Sequence, residues 1–340
     1  MDEKKIRIVV DAMGGDNAPE APVEGACQAL KEQTGFDVIL VGDEEKIKAI
    51  LAQMDYPKDR LSIVHTTEVI EMAEPPANAI RHKKDSSIVV GMKMVRHGEA
   101  EAFVSSGSTG AVLVGGQILV GRLPGVERPP LACLIPTEKG MSCIIDCGAN
   151  VDARPSWLVQ FAKMGSLYLE NFMKVKDPRV AIANIGAEEE KGNALVKETF
   201  PLLKAEKSIN FTGSVEVRDI PSGAADVIVC DAFVGNVILK MYEGTAAAML
   251  KIVKNTLMGS LKTKIGGLLI KKPFKEAMKA YDASAYGGAP LLGLNGLVVK
   301  SHGSAKAKQI KVSVLQCVTF YREEVNEKIR SAVSPVTEEA

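Results

Sequence analysis

Near its amino terminus the chain reads Ile8-Val-Val-Asp11-Ala-Met-Gly14-Gly15-Asp16-Asn17-Ala-Pro19. The apolar start is typical of a buried strand, and the segment after it holds more glycine and more polar side chains than a plain turn requires. Strand-like and helical runs alternate along the rest of the chain, which predicts βαβ units and a mostly parallel sheet with helices on both faces. Ligands of such sheets bind at the carboxyl ends of the strands, so we expect the functional residues there.

The predicted strands are short apolar runs bounded by polar or glycine residues. They are Ile6–Asp11, Phe36–Val41, Leu61–His65, Ala102–Ser105, Arg179–Ile185, Asn210–Gly213 and Asp226–Asp231. Two further runs, Leu131–Pro136 and Met141–Cys147, flank a turn and predict a β-hairpin. Because the strands of a hairpin are antiparallel, we expect the sheet to be mixed.

The composition argues against several classes of function. The 340 residues carry a formal net charge of zero and only 5% of them are aromatic, which argues against a nucleic-acid partner. The six cysteines form no CxxC pair, which predicts buried thiols in a reducing compartment. Since the sequence has no signal-peptide pattern and no apolar run of about 18 residues, we expect a cytoplasmic protein without a membrane span.

Two loops at strand ends have the composition of an anion site. Gly107-Ser108-Thr109-Gly110 opens a predicted helix and offers backbone N–H groups, two hydroxyls and the positive end of a helix dipole. Lys191 is predicted in the first turn of another helix, where a cation is unfavourable unless an anion lies beside it. Neither loop is a nucleotide fingerprint, because the chain has no GxxxxGK[ST] motif and no GxGxxG after its first strand.

Each of these residues also has a purely structural interpretation. A glycine-rich loop is more often a tight turn than a binding site. Ser108 could be an N-cap, and Asp11 and Asp231 could form turns. Cys147 could pack in the core, and His302 could be a loop histidine with satisfied hydrogen bonds. The number of such loops at strand ends favours a functional site.

Nine motifs, in order along nearly the whole chain, resemble the bacterial acyl-ACP:phosphate acyltransferases (the PlsX family). They are DAMGGDNAP (Asp11–Pro19), RHKKDSS (Arg81–Ser87), SSGSTGA (Ser105–Ala111), GRLPGVERPPLA (Gly121–Ala132), DCGANVDARP (Asp146–Pro155), IGAEEEKGN (Ile185–Asn193), DAFVGNVILK (Asp231–Lys240), YGGAPLLGLNG (Tyr286–Gly296) and HGS (His302–Ser304). Together they are highly specific. One departure is Ser108, where the family usually has an asparagine.

The resemblance implies an α/β fold class with three α/β/α layers and a mixed, mostly parallel sheet, similar to isocitrate and isopropylmalate dehydrogenases. It implies one catalytic domain over residues 1–334, whose two intertwined lobes share the sheet, and a homodimer. Phosphate acetyltransferases use a Gly-Asn-x-x-x-Lys turn that Gly235, Asn236 and Lys240 match here, with Lys240 expected one turn into its helix. Residues 335–340 are expected to be a disordered tail.

The reaction that the resemblance implies converts acyl-ACP and inorganic phosphate into acyl phosphate and free ACP. Phosphate is already a nucleophile at neutral pH, so no cofactor, metal or serine–histidine–acid triad is expected. The site would bind phosphate, aim it at the thioester carbonyl and stabilise the oxyanion of the tetrahedral intermediate.

The same motifs supply the predicted site residues. The catalytic set is Lys191, Asn150, Asn236, His302, Asp11 and Asp146. The phosphate- and substrate-binding set is Gly14, Gly15, Asn17, Arg81, Lys83, Ser108, Thr109, Gly110, Asp231 and Lys240. Asp11 and Asp146 are expected to orient the reacting groups, and Gly14 and Gly15 to let the backbone approach the ligand.

The remaining catalytic residues are assigned to substrate groups. Lys191 and the N–H groups of Ser108–Gly110 are expected to bind phosphate. Asn150, Asn236 and His302 are candidates to contact the carbonyl oxygen or the leaving thiolate.

A basic and apolar segment covers residues 251–282. It has eight lysines against Glu276 and Asp282, and its centre reads Ile265-Gly-Gly-Leu268-Leu269-Ile270. One interpretation is a solvated helical hairpin that packs on a dimer mate. The other, which the resemblance favours, is a peripheral anchor on the inner face of the cell membrane, with lysines on anionic headgroups. The lysines could also bind acidic ACP. A membrane glycerol-3-phosphate acyltransferase would then collect the acyl phosphate at the membrane.

Three alternative functions stay open. A phosphate acetyl- or butyryltransferase would use acyl-CoA in the same chemistry. A metal- and NAD-dependent decarboxylating dehydrogenase of this fold would need a cluster of aspartates for Mg²⁺, which the sequence does not suggest. A membrane-bound scaffold that only docks ACP would not need so much polar chemistry at strand ends.

Overall fold

The computed structural model describes residues 5–279 and 281–333, which form two compact units. The first unit is built from residues 5–133, 163–177 and 284–333. The second is built from residues 134–162 and 178–283. The tail predicted at 335–340 lies outside the described residues.

The strands and helices alternate along most of the chain. The strands are β1 (Ile6–Asp11), β2 (Phe36–Gly42), β3 (Leu61–His65), β4 (Ala102–Ser105), β5 (Ala132–Thr137), β6 (Gly140–Ile145), β7 (Arg179–Asn184), β8 (Asn210–Glu216), β9 (Val227–Val229), β10 (Ala289–Leu291) and β11 (Leu297–Lys300). The helices are α1 (Glu20–Glu32), α2 (Glu44–Leu51), α3 (Pro76–His82), α4 (Ser87–Arg96), α5 (Thr109–Gly115), α6 (Pro155–Phe172), α7 (Ala194–Ala205), α8 (Ala232–Met258), α9 (Leu261–Lys279), α10 (Ala307–Arg322) and α11 (Val325–Val333).

Six strands form the sheet of the first unit, in the order β10-β11-β4-β1-β2-β3. All neighbouring strands are parallel except β10 and β11, which are antiparallel. The central strands β1 and β4 are almost entirely buried, as expected for a sheet covered on both faces. The carboxyl ends of β1, β4 and β11 therefore lie at one edge of this sheet.

Five strands form the sheet of the second unit, in the order β5-β6-β9-β7-β8. The pairs β6–β9, β9–β7 and β7–β8 are parallel. Only Glu138 and Lys139 connect β5 to its neighbour β6. A connection this short joins antiparallel strands, so the predicted hairpin is confirmed.

The predicted fold class is confirmed, with one correction to the sheet. The structure is an α/β fold with mixed, mostly parallel strands. Instead of the single sheet expected to be shared by two lobes, the strands form two separate sheets. Local hydrophobic patterns predict where strands lie but not which strands pair, because pairing depends on residues distant in the chain.

Side-chain caps begin several helices. Asp43 accepts a hydrogen bond from the N–H of Lys46 at 3.2 Å, and Ser86 accepts one from Val89 at 3.4 Å. The predicted helix that Gly107–Gly110 opens is α5, which continues into a π-helical segment, Gly116–Val120.

Helix α6 carries a stripe of apolar side chains. Phe161, Met164 and Tyr168 are buried, and Trp157 is half-buried. The stripe therefore belongs to the core over most of its length.

Helices α8 and α9 cover the basic segment predicted between 251 and 282. Most of their residues from Lys251 onward are exposed. In the described parts of the chain, 5–279 and 281–333, no helix is both long enough and apolar enough to cross a membrane.

Candidate active site

Three loops meet at the carboxyl edge of the first sheet. They follow β1, β4 and β11 and comprise residues 11–18, 105–110 and 301–305; we call them the first loop cluster. The backbone N–H of Asp16 donates to the carbonyl of Gly303 at 2.8 Å, and the N–H of Ser301 donates to the carbonyl of Ser105 at 2.9 Å. Residues far apart in sequence therefore share one site in this unit.

A buried hydrogen-bond chain links two of these loops. Ser105 Oγ donates to Asp11 Oδ2 at 2.6 Å and accepts the N–H of Gly107 at 2.9 Å. Asp11 Oδ1 accepts the N–H of Met13 at 3.1 Å. Burial raises the pKa of the Asp11 carboxyl, while the hydrogen bonds from Ser105, Ser87 and nearby N–H groups oppose that rise. Asp11 thus fixes the backbone of its own loop and, through Ser105, that of the loop after β4.

The two glycines after Asp11 allow the loops to pack tightly. A Cβ on Gly14 would lie 2.3 Å from Asp11 Oδ2 and 2.7 Å from the nitrogen of Gly107. Gly15 has a φ of +101°, and a Cβ there would lie 2.9 Å from the carbonyl oxygen of Gly303. The space beside these glycines is therefore filled by neighbouring loops, and a role of the two glycines in ligand approach stays a prediction.

Asn17 and His302 form hydrogen bonds with the loop of residues 301–305, which follows β11. Asn17 Nδ2 donates to the carbonyls of Ser304 and Ala305 at 3.1 and 3.2 Å. His302 Nδ1 accepts the N–H of Ser304 at 3.2 Å, and Ser304 Oγ lies 2.8 Å away. Because Nδ1 accepts a hydrogen bond, the neutral imidazole carries its proton on Nε2. His302 is exposed and can present that N–H to a ligand.

The predicted anion loop lies within the same cluster. Ser108 is buried, and its Oγ accepts the N–H of Ala111 at 3.4 Å, so it is an N-cap of α5. Thr109 is exposed and Gly110 half-buried. A Cβ on Gly110 would lie 2.4 Å from Cγ of Pro76, which shows that α3 packs against this loop.

Arg81 and Lys83, the two basic residues predicted to bind substrate, lie at the end of α3. Arg81 is exposed. Lys83 Nζ forms an ion pair with Glu74 at 2.5 Å and donates to the carbonyl of Val69 at 2.6 Å. Its ammonium group therefore stabilises the loop before α3.

The second unit has its own strand-end loops. They follow β6, β7 and β9 and comprise residues 146–150, 185–193 and 230–231; we call them the second loop cluster. Asp146 is fully buried and accepts the N–H groups of Gly148, Ala149 and Asn150 at 3.0, 3.0 and 2.8 Å. It also accepts Asn150 Nδ2 at 2.7 Å. Asp146 fixes this loop as Asp11 fixes loops of the first cluster.

Helix α8 begins directly at the second loop cluster. Asp231 caps it by accepting the N–H of Val234 at 2.9 Å, and the N–H of Ala232 donates to the carbonyl of Asn150 at 2.9 Å. A Cβ on Gly235 would lie only 1.9 Å from the carbonyl oxygen of Asp146. The glycine of the predicted Gly-Asn-x-x-x-Lys turn therefore allows the helix to contact the loop.

Asn236 and Lys240, the polar residues of that turn, are both exposed on α8. Lys240 lies two turns into the helix rather than one, and pairs with Glu243 at 2.8 Å. The structure thus leaves Asn236 at the beginning of the helix beside the loop cluster and places Lys240 farther along it.

The predicted position of Lys191 is corrected. Helix α7 begins at Ala194, and its N-cap is Asn193, which accepts the N–H of Val196 at 2.9 Å. Lys191 therefore lies in the loop before the helix and not in its first turn. It is exposed and pairs with Glu188 at 2.8 Å, and that pairing raises the pKa of the lysine.

Sequence reasoning missed strand β11 and its last residue, Lys300. This lysine is only 8% exposed and lies at the end of β11, next to the loop that carries His302. The available signal was a lysine that directly follows the apolar run Leu297–Val299 and directly precedes the HGS motif.

A family model and several curated proteins match nearly the whole chain. The family model described as "Fatty acid synthesis protein" matches residues 6–328. The chain is 48% identical over 328 residues to the phosphate acyltransferase of Clostridium novyi (strain NT), covering 96% of this chain and 98% of the relative. It is 46% identical over 335 residues to that of Clostridioides difficile (strain 630), covering 98% of both.

Solved structures show the same fold at low sequence identity. A phosphotransacetylase from Streptococcus pyogenes superposes with a TM-score of 0.62 at 17% identity and 94% coverage of both chains. The EutD phosphotransacetylase from Staphylococcus aureus gives a TM-score of 0.61 at 18% identity, again with 94% coverage of both chains. The architecture is therefore one that solved proteins already display.

Proposed function

The chain belongs to the fatty acid synthesis protein family and transfers acyl groups to phosphate, and on that basis we propose that it takes a long-chain fatty acyl group from acyl-ACP. A phosphate oxygen attacks the thioester carbon, the carbon–sulfur bond breaks, and the ACP thiolate leaves and is protonated. The product, an acyl phosphate, then serves glycerol-3-phosphate acylation in phospholipid synthesis. Binding and aligning the two substrates can lower the barrier by about 7–11 kcal/mol in favourable cases.

The observation that supports this function most is the buried chain of hydrogen bonds that runs from Asp11 through Ser105 to Gly107. The two bonds, of 2.6 and 2.9 Å, fix the loop that leads into Ser108–Gly110. Rigid backbone N–H groups can hold an anion without reorganising at the moment of reaction. We assign phosphate to this loop, with exposed Thr109 as a further donor.

His302 supplies an N–H donor to the same cluster. Its Nδ1 is held by the N–H of Ser304, so Nε2 carries the proton. We assign Nε2–H to the carbonyl oxygen or to the departing thiolate. One such donor to an oxyanion is typically worth about 3 kcal/mol.

Within the second unit, Asn150 and Asn236 stay proposed as contacts of the carbonyl oxygen or the leaving thiolate. Asp146 holds Asn150 through its backbone and side-chain N–H groups at 2.8 and 2.7 Å. Lys191 remains a proposed phosphate ligand, which requires it to exchange Glu188 for phosphate. This exchange is feasible because the pair is exposed, and exposed ion pairs contribute only about 0–1 kcal/mol.

We further propose that the protein is a homodimer that binds the membrane surface peripherally. On α8, exposed apolar side chains recur every four residues at Phe233, Val237 and Met241, which is the pattern of a helix that packs on a partner. On α9, Leu268 and Leu269 are 71% and 77% exposed among lysines. Such a surface is suited to anionic lipid headgroups, where the acyl phosphate would be delivered.

The test is acyl phosphate formation, trapped as the hydroxamate. Purified protein receives palmitoyl-ACP, palmitoyl-CoA or acetyl-CoA, each with and without inorganic phosphate. We expect product only with phosphate and chiefly from palmitoyl-ACP. Product from the CoA thioesters alone would replace acyl-ACP with acyl-CoA as the donor, and no product from any thioester would overturn the assignment.

The role of Lys191 is tested separately. Lys191→Ala should raise the KM for phosphate, and Lys204→Ala, which removes another exposed lysine of the same unit paired with Glu189, is the matched control. An unchanged phosphate KM and kcat in Lys191→Ala would remove Lys191 from the site.

A further inference from the structure

Lys300 is a buried cation in the first unit that the proposed mechanism does not yet use. It is the last residue of β11, whose four residues are all buried, and it is 8% exposed. Lysine is among the residues least often found buried, because its ammonium loses hydration there. A lysine that remains buried beside a candidate active site therefore calls for a functional explanation.

The ammonium of Lys300 lies between two loops of the first loop cluster. Nζ donates to the carbonyl of Ser106 in a long hydrogen bond of 3.4 Å, and also to the carbonyl of Ser301. The register of the sheet sets Lys300 directly opposite Ser105. One side chain thus contacts both the loop that follows β4 and the loop that carries His302.

These contacts hold the Ser106–Gly107 peptide from both sides. Its carbonyl oxygen accepts from Lys300, and its N–H donates to Ser105 Oγ at 2.9 Å. Ser105 is in turn bound to Asp11 at 2.6 Å. The peptide therefore has a cation on its oxygen side and a buried carboxyl group behind its nitrogen side.

We propose that Lys300 is a positioning residue for phosphate in the proposed acyl transfer, and the assignment rests on that function. Lys300 holds the Ser106–Gly107 peptide in the orientation that directs the following loop N–H groups at phosphate. Its charge also attracts a phosphate dianion, since solvent screens a buried charge far less than an exposed one. His302 is aligned by the same ammonium through the carbonyl of Ser301.

Stability alone is a weak explanation for this lysine. Replacing a buried ion pair by apolar side chains of similar volume is often neutral or stabilising, so buried charge is weak evidence for stability. If Lys300 served only the fold, a neutral donor to the carbonyls of Ser106 and Ser301 would serve as well. Retaining the charge is understandable if it acts on a ligand.

The experiment compares Lys300→Met with Lys93→Met, which alters a half-exposed lysine on α4 of the same unit. Phosphate binding is measured by calorimetry without any acyl donor, and the two KM values are measured with palmitoyl-ACP and phosphate. We expect Lys300→Met to weaken phosphate binding and raise its KM at least about tenfold, with the KM for the acyl donor unchanged. Lys93→Met should match the unmodified protein.

Two further variants keep the test decisive if Lys300→Met does not fold. Ser105→Ala releases the other side of the same peptide and should also weaken phosphate binding. Lys300→Arg keeps the charge and should bind phosphate better than Ser105→Ala does.

The outcomes separate this proposal from the proposed function. If the unmodified protein forms no acyl phosphate, the function fails, while the calorimetry still tests Lys300. Unchanged phosphate affinity in Lys300→Met would overturn the proposal. A parallel rise of both KM values with a lower Tm would also overturn it, because it would indicate a purely structural role.

Discussion

Ser105 Oγ donates a hydrogen bond of 2.6 Å to Asp11 Oδ2 in the interior of the first unit. The two residues end adjacent strands, β4 and β1, and neither is exposed. The same Ser105 Oγ accepts a hydrogen bond from the N–H of Gly107, so Ser105 links the carboxyl group of Asp11 to the loop after β4. A carboxyl group that touches no solvent thus sets the geometry of a loop that a ligand can reach.

The first prediction concerns the pH dependence of stability through Asp11. Burial raises the pKa of Asp11 in the folded chain above its ordinary value of 3.8. Between these two pKa values the folded state holds a proton that the unfolded state has lost, so the contribution of Asp11 to stability falls as pH rises. We expect the free energy of unfolding of the unmodified protein, relative to Asp11→Asn, to decrease from about pH 4 upward and then level off.

Urea unfolding at a series of pH values measures this difference. Asp16→Asn, at an exposed position of the same loop, is measured as the control. A difference that grows with pH would mean that Asp11 is stabilised as the carboxylate.

The second prediction concerns the stability of the second loop cluster. Asp146→Ala would leave three backbone N–H groups and the Asn150 amide without their buried acceptor. We expect a loss of about 3 kcal/mol or more in the free energy of unfolding, since each buried unsatisfied group costs about 1–3 kcal/mol. Asp152→Ala, at an exposed aspartate close by, should change stability by less than about 0.5 kcal/mol. Equal losses in the two variants would contradict the buried network.

The third prediction compares two glycines of α8. Gly235→Ala would place a Cβ 1.9 Å from the Asp146 carbonyl oxygen, whereas nothing lies within 4 Å of a Cβ on Gly244. We expect Gly235→Ala to destabilise the fold by about 1–3 kcal/mol, because backbone must move, and to lower kcat. Gly244→Ala should stabilise it by about 0.5–1 kcal/mol through helix propensity.

Thermal unfolding and the hydroxamate assay test this pair together. If Gly235→Ala retained full activity and stability, the contact between α8 and the Asp146 loop would not be required by the site.

The fourth prediction concerns the apolar residues of α9. Leu268→Glu combined with Leu269→Glu should abolish binding to vesicles of phosphatidylglycerol and phosphatidylcholine, since it places two negative charges in an apolar contact. Activity on soluble palmitoyl-ACP should persist. Leu202→Glu, at an exposed leucine of α7, is the control. Vesicle flotation that the double variant leaves unchanged would remove α9 from the membrane contact.

Much of this architecture is readable in the sequence because it depends on local patterns. Strands β1, β3 and β4 have the predicted bounds, since apolar runs that end in glycine or polar residues are local signals. The strand-end loops were also found in this way. Asp11 and Asp146 both accept backbone N–H groups of these loops, while their expected role of orienting the reacting groups stays a prediction.

One error is local, whereas the contacts that the sequence did not reveal join separate segments of the chain. Lys191 was placed in a helix because the competing N-cap, Asn193, was not weighed. Lys83 pairs with Glu74 across a loop, which no spacing rule predicts. Lys300 was missed because its meaning depends on the pairing of β11 with β4, and that pairing joins opposite ends of the chain.

Strand β11 is synthesised late, and this matters for incomplete chains. The ribosome makes β11 after every strand of the second unit, yet β11 lies beside β4 in the first sheet. A nascent chain that stops before Leu297 already holds Asp11 and Ser105 but lacks Lys300 and His302. The pairing of β11 with β4 joins residues far apart in the chain, and such non-local pairing slows folding. If Lys300 and His302 act as proposed, a prematurely terminated chain lacks part of its site, and only the completed chain can be active.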